Sequence, residues 1–239
     1  MPKYLEIENI LRKRIKDGVY PPGSPFPQQN KLALEFNTSR VTIRKALEHL
    51  IKTGLVYTQR GSGTFVRADA QIMTQFNANI DQYVGTTKLL GKNHNINSKI
   101  ISFGFHYPDK LDMQYLNLKS HDMIYDIHRL RIVDNESYAL EYTKMPVKVI
   151  PGIDENVLKG SIYEYIEKQL HQKIGAAYRK ISAAKPSNDD KEYLDCKIDD
   201  PVLKVKQVVF LGNDIPFELS ETHHRYDKEN IMVYLTGHD

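Results

Sequence analysis

Apolar residues at helical spacing open the chain. Ile7, Ile10, Leu11 and Ile15 recur three and four apart and predict a first helix over 4–18. Pro21-Pro22-Gly23 breaks it. A short second helix is expected over 26–36, with Leu32 and Phe36 inward, and Asn37 suits a left-handed turn after it. Ile43, Ala46, Leu47 and Leu50 then form the stripe of a third helix. Ser39 is its expected cap, because a hydroxyl there can accept from an N–H of the first turn that has no helical partner. Gly54 supplies the left-handed residue that ends it. Next the period shortens to that of strands. Residues 55–59 and 64–66 flank the turn Arg60-Gly61-Ser62-Gly63 and predict a tight hairpin.

Residues 68–80 are polar and aperiodic, as expected of a linker. Beyond them the pattern predicts strands over 99–107, 123–133, 138–147, 174–184, 202–211, 215–226 and 231–235. Two helices are expected, over 161–171 and 187–194. Strands joined mostly by hairpins imply a mainly antiparallel sheet and an α+β protein. The expected domains are 1–67, the linker 68–80, and 81–239.

Charge divides the chain at the same place. The first 70 residues carry twelve Lys and Arg against six Asp and Glu, a balance of +6, while the remainder carries −3. A basic module joined to a mildly acidic one points to nucleic acid at one end and something else at the other. Cys196 is the only cysteine, so an intrachain disulfide is excluded. No apolar run approaches membrane-spanning length, and the first residues lack a secretory pattern, so a cytoplasmic location is expected.

Opposite the stripe of the third helix lie polar and basic side chains. Ser39, Arg40, Thr42, Arg44 and Lys45 occupy its first turn and a half, where a helix end enters a major groove. Arginine there can take both acceptors of a guanine edge or clamp a phosphate. Arg60 on a thin hairpin suits a narrow minor groove, and Gly61 and Gly63 allow close backbone approach. A surface helix with solvated charges is the plainer alternative; helix, stop and basic hairpin in this order favour DNA. Residues 4–67 closely resemble the winged helix-turn-helix domain of GntR-family transcriptional regulators. The resemblance rests on Pro22-Gly23, Phe26-Pro27, the run Ser39-Arg40-Val41-Thr42-Ile43-Arg44-Lys45-Ala46-Leu47, Gly54-Leu55 and Gly61-Ser62-Gly63-Thr64-Phe65-Val66. One departure is that Gln28, Gln29 and Asn30 stand where the family usually has Ser-Glu-Arg, which leaves Asn30 a doubtful contact.

In the second part, Arg129 and Arg131 are two apart on a strand and so share a face with Ile127 and Val133. Arginines among apolar neighbours call for an anion. A three-residue loop over 135–137 places Arg131 opposite Glu141; a two-residue loop turns Glu141 to the other face. The three-residue loop is the expectation. A cross-strand salt bridge on a wet face accounts for the spacing equally well.

Residues 81–235 are similar to a UTRA domain, the effector module of the HutC branch of GntR regulators, with a chorismate-lyase-like fold. The matching features are Arg129-Leu130-Arg131, Glu141, Gly160-Ser161-Ile162-Tyr163, Pro201, Leu203 and Pro216-Phe217-Glu218. The resemblance implies that Arg129 and Arg131 grip an anionic group and that Glu141 takes sugar-like hydroxyls. Ser161, Tyr163 and Glu218 would contact the ligand, and Thr86, Thr87 and Lys88 would fall in a phosphate-holding loop. His224 stands where many relatives carry an aromatic residue, at the far end of the implied pocket. Ser161 with Glu164 also reads as a capping box, Tyr163 as a core aromatic, and Glu218 as an exposed strand charge. His223 and His224 point to opposite sides of a strand, which speaks against a metal site.

The expectation is a homodimeric regulator, a repressor, on a near-palindromic duplex operator, controlled by a small phosphorylated metabolite such as a sugar phosphate. No catalytic residue and no cofactor is expected. A lyase-type enzyme on the second domain, or a regulator answering to a non-sugar anion, is the alternative.

Overall fold

A computed structural model of the chain describes residues 2–70, 90 and 94–231. They fall into two compact units, residues 2–70 and 94–230.

The first unit holds α1 (Lys3–Lys16), α2 (Gln29–Glu35), α3 (Arg40–Lys52) and the hairpin of β1 (Val56–Gln59) and β2 (Gly63–Val66). Its core gathers Ile7, Leu11, Ile15, Leu32, Ile43, Leu50 and Val66, all at most 1% exposed. The helical members are the stripes the periodicity marked, except that Ile10, expected on the inward face of the first helix, is 43% exposed. α2 starts later than the apolar pattern implied. Gln28 takes its cap position without a side-chain hydrogen bond, so the helix has no polar start signal. Phe26 instead spends its N–H on the Thr64 carbonyl (2.7 Å), and Gly23 pairs with Val66, which adds an irregular third strand to the hairpin. Asn37 (φ 45°) and Gly54 (φ 70°) take the left-handed conformations that let the chain turn before and after α3.

The second unit is one antiparallel sheet of six strands with helices on both faces. Its strands are β3 (Ile96–His106), β4 (Ile124–Val133), β5 (Glu136–Pro146), β6 (Ile174–Ala184), β7 (Val202–Leu211) and β8 (Pro216–Arg225). They lie in the order β3-β4-β5-β8-β7-β6, so two three-stranded meanders meet edge to edge at the β5–β8 pair. The helices are α4 (Lys110–Leu116), α5 (Glu155–Lys159), α6 (Ile162–Lys168) and α7 (Asn188–Tyr193). No periodic apolar pattern announces α4 or α5. Both are short, and each begins at an aspartate cap, Asp109 and Asp154, rather than at a long apolar stripe. One sheet face packs Tyr125, Ile127, Met145 and Val209 against Ile153, Leu158, Ile162 and Ile166 of the α5–α6 segment. The other packs Leu130, Leu140 and Val202 against Leu194 and Cys196, and Ile124 and Leu219 against Leu116.

The β4–β5 hairpin corrects the expected register. Its loop has two residues, not three. Asp134 (φ 50°) and Asn135 (φ 69°) both turn left-handed, the short turn whose twist suits a hairpin. Alone, that loop puts Glu141 on the wrong face. A bulge between Arg131 and Ile132 inserts one extra residue on β5 and restores the parity, so Glu141 pairs with Arg129 and Arg131 pairs with Ala139. The strand expected over 231–235 lies almost wholly outside the described residues, as do Thr86, Thr87, Lys88 and most of the expected linker. Among the described residues no helix is long and apolar enough to cross a membrane.

Candidate functional site

The basic face of the first unit is built on α3. Ser39 Oγ accepts from Thr42 N (3.2 Å) and lies 2.9 Å from Thr42 Oγ1, which fixes the first turn. Arg40, Arg44 and Lys45 are exposed beyond it, and Thr42 is half-buried. Arg44 Nε sits 3.6 Å from Glu48 Oε1, with both side chains more than half exposed, a weak pairing on a wet helix face. Arg60 is exposed at the hairpin tip beside Gly61 and Gly63 (φ 79° and 112°). Asn30 is exposed on α2.

A buried carboxylate holds α1 against this helix. Glu8 is 2% exposed, accepts from Arg12 Nη2 (2.8 Å) and faces His49 Nδ1 at 3.4 Å. Arg12 also donates to Thr53 Oγ1 (3.2 Å), so both ends of the tie reach the last turn of α3. The apolar stripe gave no notice of it. The only sequence signal is the i, i+4 spacing of Glu8 and Arg12.

In the second unit, the face beneath α5 and α6 carries a polar band across four strands. From register, one row runs Arg129, Glu141, Thr222, and the next Arg131, Ala139, His224. Thr143, Ser220 and Gln207 form a third row, with Glu218 one step further along β8. Arg129 Nε and Nη2 both donate to Glu141 Oε2 (3.0 and 2.6 Å), and Nη1 donates to Leu158 O (2.9 Å) and Gly160 O (3.4 Å). Arg131 Nη1 donates to Gly160 O at 3.4 Å. The pair therefore stitches the sheet to the turn between α5 and α6. Burial pushes the Arg131 guanidinium below its ordinary value. For Glu141 burial pushes upward, but Arg129 and Arg131 outweigh it and hold the carboxyl below its ordinary value.

Ser161 caps α6, its Oγ accepting from Glu164 N (3.2 Å). Only that half of the expected capping box forms, because the Glu164 carboxylate turns to Lys168. Glu218 is not an exposed strand charge: it is 4% exposed and accepts from Tyr163 Oη (2.8 Å), Gln207 Nε2 (2.9 Å) and Ser220 Oγ (2.7 Å). Tyr163 thus has a polar partner as well as its edge-on contact with Phe217. His224 is 7% exposed, burial lowers its basicity, and its Nδ1 has no hydrogen-bond partner. His223 points to the opposite face, between Asp190 (2.7 Å) and Glu221 (2.8 Å). The fold therefore brings Arg129, Arg131, Glu141, Ser161, Tyr163, Glu218 and His224 to one side of the sheet.

Residues 3–66 match the family model of bacterial regulatory proteins of the gntR family, and residues 91–229 match that of the UTRA domain. The chain belongs to the GntR family. This GntR regulator is 42% identical over 228 residues to the HTH-type transcriptional regulator GmuR of Bacillus subtilis, covering 95% of this chain and 96% of GmuR. Its fold matches the crystal structure of the possible transcriptional regulator YydK from the same species with a TM-score of 0.75. That match has 24% identity and covers 99% of this chain and 100% of the other. The effector binding domain of the B. subtilis trehalose repressor TreR is 29% identical and has a TM-score of 0.52. It covers 60% of this GntR regulator and 99% of that structure. This protein is thus a DNA-binding transcription regulator with a UTRA domain.

No sequence signal marks Gln207, Thr143 or Ser220. Each is one polar residue in an alternating strand, and only the pairing of β5, β7 and β8 sets them in one row beside Glu218.

Proposed function

We propose that this regulator is a homodimeric repressor released from a near-palindromic operator by a small phosphorylated metabolite, a sugar phosphate. The domains would be 1–67 and 81–239, joined by the linker 68–80. Arg40, Thr42, Arg44 and Lys45 would meet the major groove, and Arg60 with Gly61 and Gly63 the minor groove. The observation that carries the effector reading is the buried Arg129–Arg131–Glu141 cluster. Two guanidiniums buried on one sheet face, beside a carboxylate that one of them holds, supply charged donors that an anionic ligand would share. Arg129 spends its donors on Glu141 and two carbonyls, so its part is to position Glu141 and the α5–α6 turn. Arg131 would meet the phosphate, exchanging its long contact with Gly160 for a charge-assisted one. Glu141, Tyr163, Glu218 and His224 would take hydroxyls, with Ser161 at the edge. Thr86, Thr87 and Lys88 would complete the phosphate loop. The likeness to the effector domain of a trehalose repressor supports a sugar-derived effector.

Release requires the ligand to favour one arrangement of the protein, and a coupling of about 1–3 kcal/mol, roughly 5–150-fold in operator affinity, is ordinary for such switches. A panel of sugar phosphates is compared with the matching free sugars, by melting temperature and by displacement from operator DNA. One phosphorylated sugar should raise the melting temperature and displace the protein, while its free sugar does neither. Arg131→Ala should keep operator binding and lose both responses. An Arg131→Ala protein that still responds to the same compound ends the anion-site reading.

A further inference from the structure

Val41 is an aliphatic side chain that the fold leaves unused. It is 52% exposed in the first turn of α3, while the core stripe of that helix is Ile43, Ala46, Leu47 and Leu50. Val41 lies three residues before Arg44 and four before Lys45, so it shares their outward face. Arg40 and Thr42 flank it in sequence. An apolar group set among cations calls for a partner that is anionic overall yet offers a methyl-sized apolar feature. The major groove of duplex DNA has one such feature on a base edge, the C5-methyl of thymine. A protein partner for a lone valine ringed by like charges has no comparable complement on this face.

We infer that Val41 reads the methyl group of one thymine in the operator, in the same groove that Arg40 and Arg44 would enter. The inference rests on α3 being the element that enters the groove. It deepens that assignment, because arginine contacts report guanine or phosphate whereas a valine contact adds a preference for thymine at one position.

The full-length protein first selects duplexes from a random-sequence library. Each thymine of the selected site is then replaced in turn by deoxyuridine, which removes only the methyl group. At one thymine the replacement should weaken binding by roughly fourfold, the effect of exposing one buried methyl. Val41→Ala should bind the thymine site about as weakly as the wild type binds the uracil site, and should be insensitive to the replacement. Val41→Thr, which keeps one methyl, should fall between. Val41 is exposed, and unchanged melting of both variants separates a lost contact from lost folding. The inference is overturned if the selected site has no thymine, or if every uracil replacement acts equally on wild type and Val41→Ala. If the protein selects no duplex at all, the groove assignment of α3 goes with it. If it selects a duplex that Arg44→Ala cannot bind but no methyl matters, only the thymine contact is lost.

Discussion

The Arg44 side chain is 61% exposed on α3, whereas that of Arg129 is 6% exposed and wrapped by Glu141 and two backbone carbonyls. The first unit keeps the cations on the outer face of α3 in water, where they cost little to carry. Such cations attract a polyanion through release of its counterions, and the attraction fades with salt. The second unit has already desolvated its cations against a partner in the same sheet face. Such a pair contributes little net stability, but it is costly to break. One residue type is therefore held in water in one unit and within the sheet face in the other, and the difference lies in burial.

The largest expected effect comes from breaking the buried side. Glu141→Ala leaves Arg129 and Arg131 without their carboxylate and should destabilise the second unit by about 3–5 kcal/mol. Hydrogen exchange resolved by unit should place the loss in residues 94–230 and leave residues 2–70 as protected as before. An unchanged melting curve means that the cluster is solvated, and the contrast between the units disappears.

Arg44→Ala tests the wet side. Folding stability should stay within about 0.5 kcal/mol of wild type. Operator affinity should fall by about 1–3 kcal/mol if Arg44 meets a guanine edge. If it meets a phosphate, the slope of log affinity against log salt should drop by about one and all sequences should weaken alike. Titrations at several salt concentrations distinguish the two. A variant that binds operator as wild type does removes Arg44 from the interface.

Ser39→Ala should cost about 1 kcal/mol in the first unit by leaving the Thr42 N–H without its acceptor. A chemical denaturation midpoint is enough to see it. The smallest effect is with pH. Burial holds His224 below its ordinary value of 6.5, so the unfolded chain binds a proton that the folded one refuses. The stabilisation is complete above that value and declines as pH falls below it. Glu141 adds a second loss at more acid pH, because its folded value lies below the ordinary 4.5. His224→Gln should make the first decline shallower, leaving the share of His128, which burial also holds below its ordinary value, and should leave the second.

Much of this fold was legible because its signals are local. The stripes of α1 and α3, the Ser39 cap, Gly54 and the basic hairpin each follow from residues within a few positions of one another. β6 and β7 fall on the expected residues 174–184 and 202–211. The helices that no pattern marks, α4 and α5, each bury a single apolar side chain, Leu116 and Leu158, so they carry no stripe. For the site, pairing Arg129 with Arg131 was readable from alternation alone. Placing Glu141 beside them was expected for a reason that failed: the loop is one residue shorter, and a bulge supplies the missing residue.

By itself the sequence determined, along each regular run, which side chains share a face, since that follows from fixed periods of 3.6 and 2 residues. It also set the charge division between a basic reader and a mildly acidic partner. Only the tertiary structure decided which strands are neighbours and in what register. That choice matches Arg129 to Glu141, buries Glu218 among Tyr163, Gln207 and Ser220, and locks α1 to α3 through Glu8. In a strand one residue of slip reverses every side chain, so an irregularity that no local pattern announces can move a charge from one face to the other.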